Sequence, residues 1–245
     1  MKNKIYFFLV LLLISLILIN SFFIFKNINE NYKQEIIFNE LANISKMNDN
    51  NLKEDIRLDV NVKELYKINN DIIGWIKIED TKLDYPIMQA KNNFYLRRNF
   101  YREYSNYGTP FISEYCNYNV DSNIIIYGHN MKNGKMFGEL EKYNQKSFYD
   151  CHKKIKFYTL ENESQYEIFS VFETDIYNKN SFEYYKYNNF STEDEFNNFI
   201  TECKKLSKYD TNIVPKYNDK LITLSTCSYS SENARLVVVA RKVDF

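Results

Sequence analysis

Apolar and polar positions follow three different patterns along this chain. The first is an almost wholly apolar run from Ile5 to Phe25, interrupted only by Ser15, Asn20 and Ser21. About 20 such residues span a bilayer core as a helix. A cleaved secretory signal carries a shorter apolar core and a small-residue cleavage site. No Ala-x-Ala follows this run. It is therefore expected to be an uncleaved signal anchor. Lys2 and Lys4 flank one side and Lys26 the other, and the positive-inside rule puts the N-terminus in the cytoplasm and the rest outside.

The second pattern runs from Asn27 to about Glu64 and is rich in Asn, Lys and Glu. Ile36, Ile37, Leu41 and Ile44 recur at helical spacing, and a short helix is expected around Val60–Tyr66. This gives a division into 1–26 (cytoplasmic tip and anchor), 27–65 (polar stalk and helical cover) and 66–245 (the domain that follows).

From Asp71 onward the pattern becomes short β-like runs separated by breakers. The runs are Ile72–Ile78, Tyr85–Met88, Thr109–Ser113, Asn123–Tyr127, Lys154–Leu160, Gln165–Phe172, Leu221–Thr226 and Leu236–Val243. Tyr166, Ile168, Ser170 and Phe172 are expected on one face of their strand. Many short strands suggest a closed barrel or a sandwich. Two helices interrupt them. Phe137, Leu140 and Tyr143 mark the first. Thr192 and Glu195 form a capping box for the second, with Phe196, Phe199, Ile200, Cys203 and Leu206 as its apolar stripe.

Composition adds little to this picture. The 32 basic and 32 acidic residues cancel, so there is no electrostatic case for nucleic acid. No Cys-x-x-Cys or His-x-x-x-His spacing indicates a metal, and no cofactor is expected. Of the four cysteines, Cys116, Cys151 and Cys203 are read as ordinary half-buried thiols.

The fourth cysteine changes the reading. Cys227 closes the run Thr223-Leu224-Ser225-Thr226-Cys227, and Arg235 opens the next strand. There are only two histidines, and His129 ends the run Ile124-Ile125-Ile126-Tyr127-Gly128. A thiol, a base and a fixed cation are what cysteine acyl transfer requires. Taken alone, each residue also has a plain structural reading: a buried strand thiol, a turn histidine and a surface arginine. Cys151 and His152 are adjacent, but neighbours in an extended segment point to opposite faces, so they are not expected to act together.

The order Tyr-Gly-His, Thr-Leu-x-Thr-Cys and a downstream Arg resembles the sortases, cysteine transpeptidases of Gram-positive surfaces. Class B is matched by Ile73-Gly74-Trp75-Ile76, Leu83-Asp84-Tyr85-Pro86-Ile87, Tyr95-Leu96, Gly108-Thr109-Pro110-Phe111 and His129-Asn130-Met131 with Met136-Phe137. The likeness covers roughly Leu65 to Val243. It implies a closed eight-stranded barrel, mainly β, with N-terminal helices and one helix inserted before the Cys-bearing strand. It also implies a reaction: Cys227 cleaves a surface-protein sorting signal at a Thr peptide bond, and the acyl group passes through a thioester to a peptidoglycan stem or cross-bridge amine. His129 and Arg235 complete the catalytic set.

Tyr127 and Ser225 lie two residues before His129 and Cys227, on the same strand faces, and Thr226 sits at a strand end. These three, with Asn92 and Leu96 from the resemblance, are the expected substrate contacts. Tyr177 to Phe190 should form a groove wall. Ser228 stands where some class B members carry an acidic residue. Two other functions fit the same sequence: a cysteine peptidase of wall peptides and a non-catalytic surface-assembly adaptor.

Overall fold

The computed structural model describes residues 2–46, 60–178, 181–231 and 233–243. The chain divides into two units at Leu41/Ala42. The first is built on α1, Lys2–Ser45, a single helix that carries the apolar run and continues without a break through the polar segment after it. Its most apolar window has a mean hydropathy of 2.8 and none of it is buried, so it is long and apolar enough to cross a membrane. Residues 47–59, within the expected stalk, lie outside the described residues.

The second unit is a barrel. Its strands are β1 (Ile72–Lys77), β2 (Asp84–Met88), β3 (Phe111–Ile112), β4 (Asn123–Tyr127), β5 (Lys154–Thr159), β6 (Glu163–Asp175), β7 (Leu221–Cys227) and β8 (Ala234–Val243). They close in the order β1-β2-β3-β4-β7-β8-β6-β5. All eight runs read from the sequence are strands, and closure comes from the antiparallel pairing of β5 back onto β1. Only β2–β3 and β4–β7 are parallel. Trp75, Ile87, Ile126, Phe157, Leu224 and Val238 are among the buried residues of the strands.

One strand departs from simple alternation. The β6–β8 register shifts between Ile168 and Ser170. A bulge of this kind changes which face each residue serves. Tyr166, Ile168, Ser170 and Phe172 therefore do not share one face. Instead Phe169 and Phe172 join one cluster with the helix that follows, and Ser170 Oγ donates to the Cys203 carbonyl at 2.6 Å.

That helix is α4, Glu193–Leu206, one of three short helices with α2 (Val62–Ile68) and α3 (Lys146–Cys151). Thr192 caps it, accepting from the Glu195 N–H at 3.2 Å. The Glu195 carboxylate reaches back to the N–H of Ser191 rather than that of Thr192, so the reciprocal bond lands one residue early. Phe196, Phe199, Ile200 and Cys203 are buried against β6 and β8, whereas Leu206, in the last turn, is exposed. Thr192→Ala is expected to cost about 1 kcal/mol. In thermal melts that lowers Tm by about 2–4 °C and leaves turnover unchanged; an unchanged Tm would show that the cap contributes nothing. The stretch expected to be helical from Met136 is a 3-10 segment, Phe137–Asn144.

Candidate active site

Three strand ends meet at one rim of the barrel. β4 and β7 are parallel, with Tyr127 opposite Ser225, so both chains emerge on the same side. His129 and Cys227 each lie two residues past that pair. β8 runs antiparallel to β7 and starts where β7 ends, placing Arg235 directly opposite Cys227. Directly opposed residues have Cβ atoms about 4.5–5.5 Å apart. The sulfur and the guanidinium thus share one edge of the rim.

The turn that carries His129 is stitched to β7. The Gly128 N–H donates to the Ser225 carbonyl at 3.2 Å, and Thr226 Oγ1 donates to the Gly128 carbonyl at 2.7 Å. The His129 carbonyl accepts from the Phe137 N–H at 2.9 Å. Phe137 closes so tightly over the turn that a Cβ on Gly128 would lie 2.6 Å from its ring.

The imidazole is oriented by a backbone acceptor, with Nε2 2.7 Å from the Leu96 carbonyl. A carbonyl only accepts, so Nε2 carries the hydrogen and Nδ1 is the basic nitrogen of the neutral ring. Burial lowers the His129 pKa below its ordinary value and nearby Arg97 adds to this, against the opposing effect of the Leu96 carbonyl. The neutral form therefore prevails at pH 7.

The Leu96 carbonyl is itself held in place. It belongs to the 3-10 turn Phe94–Arg97, anchored by the fully buried side chain of Tyr95. The Tyr95 phenol donates to Asp71 at 2.6 Å and accepts from Asn69 at 2.8 Å, and Arg102 braces Asp71 at 3.0 Å. Burial, reinforced by Asp71, pushes the phenol's pKa up to about 12.

A groove of about 580 Å³ runs across this rim. His129, Cys227 and Arg235 all line it, as do Leu96, Tyr127, Ser225 and Thr226. Asn92 is not among its lining residues; the neighbouring Asn93 is. Asn92 instead has its N–H bonded to Glu114 at 2.8 Å, in a left-handed turn that a residue pattern cannot resolve to a single position. Of the expected wall, Tyr177, Tyr184 and Tyr185 face the groove, with Ile176 just before it, whereas Phe182, Tyr187 and Phe190 pack toward α4. Residues 179 and 180 of that wall lie outside the described residues, as does Glu232 beyond Cys227. Tyr184, one of the tyrosines of that expected wall, makes a contact that the sequence does not show. Its buried hydroxyl shares a 2.6 Å hydrogen bond with Ser225 Oγ, which fixes the floor of the groove beside Cys227.

Cys227 is exposed to the groove. Arg235 Nη1 donates to the Ala234 carbonyl at 3.1 Å, using one of the guanidinium's five N–H donors. The Ser228 N–H is also committed to the Ala234 carbonyl, at 2.8 Å, and the Ser228 side chain is buried against Ser230.

The other thiols are apart from this chemistry. Cys116 and Cys203 are buried, more fully than the half-burial expected, and burial raises both their pKa values. Cys151 is exposed at the end of α3, not in an extended segment. His152 follows it, stacking on Phe148 with Nδ1 2.9 Å from the Phe148 carbonyl.

Closed barrel, rim cysteine, oriented histidine and opposed arginine together describe a thiol acyl-transfer enzyme, and comparison with known proteins gives its family. The sortase-domain family model matches residues 76–243. Sortase B of Listeria monocytogenes is 37% identical over 187 residues, covering 74% of each chain. The structure of a Staphylococcus aureus sortase B–substrate complex aligns with 88% of this chain and 98% of its own, at a TM-score of 0.77 and 32% identity. A sortase B complexed with triglycine aligns with 87% and 99%, at a TM-score of 0.76 and 31% identity. The chain belongs to the sortase family of cysteine transpeptidases. Within the family it is a class B sortase.

Proposed function

We propose that this protein joins surface proteins to the cell wall, with Cys227 as nucleophile, His129 as proton carrier and Arg235 as the oxyanion donor. The observation that carries this reading is the strand register. Tyr127 opposite Ser225 and Cys227 opposite Arg235 bring the three side chains to one rim and one groove.

Cys227 Sγ attacks the carbonyl carbon of a Thr peptide bond in the sorting signal, and its proton passes to His129 Nδ1. Negative charge on the tetrahedral oxygen is met by Arg235, which cannot lose its own proton. The Ser228 N–H is already bonded to Ala234, which leaves the guanidinium as the leading donor. The imidazolium protonates the leaving amine, and the thioester remains. A peptidoglycan stem or cross-bridge amine then gives its proton to His129 and attacks the thioester, releasing Cys227. Two acyl transfers conserve the energy of one amide, and no metal takes part. Leu96, Tyr127, Ser225 and Thr226 contact the signal, and Asn92 supports the turn beside them. The apolar part of α1 anchors the enzyme in the membrane as a single pass, with the barrel outside.

The test uses the full chain in detergent with fluorescence-quenched peptides bearing Asn-Pro-x-Thr or Leu-Pro-x-Thr, with and without triglycine or a diaminopimelate stem peptide. Ligated product, read by mass spectrometry and unaffected by chelator, is the expected outcome. Hydrolysis with no ligation under any acceptor would favour a peptidase of wall peptides. No cleavage of any peptide would favour an adaptor.

A further inference from the structure

We infer that Asn130 is a positioning residue for the transpeptidation: its side-chain amide ties the turn that carries His129 to the carbonyl of Cys227. The inference rests on the reading of His129 and Cys227 given above.

Asn130 Nδ2 lies 2.7 Å from the Cys227 carbonyl and 2.7 Å from Glu141 Oε1. Both partners only accept, so both N–H groups of the amide are used and its orientation is fixed by chemistry. Reversed, the amide would set its own oxygen against two others. Glu141 is steadied in turn by Asn144, 2.8 Å from its other oxygen. The main chain of Asn130 is also gripped, because the Tyr229 hydroxyl donates to its carbonyl at 2.7 Å. One residue is therefore bonded to both Cys227 and Tyr229, on either side of Ser228, while its neighbour in sequence is the proton carrier.

Without this amide, the Gly128 contacts and the Tyr229 bond to the Asn130 carbonyl still join the His129 turn to the segment around the end of β7, but none of those bonds is made to Cys227 itself. Water can satisfy the Cys227 carbonyl at this exposed rim, so folding should lose little. Alignment of sulfur and imidazole should lose more, since a misplacement of about 1 Å costs on the order of 100-fold in rate.

Two variants of the full chain in detergent test this. Asn130→Ala should lower kcat by about 10- to 100-fold, with KM for the sorting peptide and Tm nearly unchanged. Asn130→Asp places a carboxylate against Glu141 and the Cys227 carbonyl. Two facing carboxylates share a proton as pH falls, which restores a donor. The Asp variant's kcat relative to the parent should therefore rise from pH 8 to pH 5.5. The titratable groups at this position are Glu141 and the Tyr229 phenol, both bonded to Asn130, and those of Cys227, bonded through its carbonyl, and His129, the preceding residue. All four are present in the parent too, so the ratio isolates the new carboxylate.

A kcat for Asn130→Ala within about two-fold of the parent would overturn the inference, as would a pH-independent ratio for Asn130→Asp or an activity loss matched by a collapse in Tm. Cys227→Ala is assayed alongside. If it is inert while the Asn130 variants match the parent, only this inference fails. If it turns over, the catalytic reading on which the inference rests has failed first.

Discussion

With Cys227 replaced by alanine, cleavage of a Thr-bearing sorting peptide and its ligation to triglycine are both expected to fall to background. Removing the nucleophile of an acyl-transfer site costs on the order of 10⁶-fold in kcat. Nothing else at this rim can form the thioester. Cys116 and Cys203 are buried with raised pKa values, and Cys151 lies at the end of α3. Intact-mass measurement during turnover checks the same point from the other side. The parent should carry a hydroxylamine-sensitive acyl adduct, Cys151→Ser should carry it equally, and Cys227→Ala should not. An adduct on the alanine variant would place the chemistry elsewhere and sink the mechanism.

The second large effect is expected at Arg235. An oxyanion donor of this kind is worth about 3–4 kcal/mol in the transition state, or roughly 10²–10³ in kcat. Arg235→Ala should lose that amount. Arg235→Lys should recover only part of it, because an ammonium supplies charge without the planar fork that spans both the Ala234 carbonyl and the groove. Steady-state kinetics should show the loss mainly in kcat, since the interaction strengthens only as the oxygen becomes negative. A loss confined to KM would make Arg235 a substrate-binding residue and not an oxyanion donor.

Much of this was legible in the sequence, for identifiable reasons. All eight strands stood out because each is a short apolar run bounded by breakers, and the Thr192 cap because its hydrogen bond is local. The proposed set Cys227, His129 and Arg235 was legible through motif order, and the register shows how that order brings the three to one rim. What was not legible depends on distant contacts or on a one-residue shift. Barrel closure was legible only through the family likeness, because β5 must find β1 far back along the chain, which no local pattern encodes. The β6 bulge turned an apparent alternation into two half-strands. Asn93 replaced Asn92 at the groove because a left-handed turn lies there. Asn130 was legible only as part of a family motif and Tyr184 only as part of the expected wall, because their roles are hydrogen bonds to residues 97 and 41 positions away.

Barrel closure also constrains how a peptide can be gripped. Enzymes that bind extended peptides often do so by strand addition, where an unpaired sheet edge offers its backbone to any sequence. Here each strand that bears the chemistry already has neighbours on both sides: β4 lies between β3 and β7, β7 between β4 and β8, and β8 between β7 and β6. The donor peptide meets strand ends and loop side chains, not an open backbone ladder. Affinity must then come from reading side chains, so a cell-surface transferase surrounded by unfolded and extended polypeptide is kept from acylating itself on most of them. Narrow selectivity is in this sense a property of the closed sheet before any single groove residue adds to it.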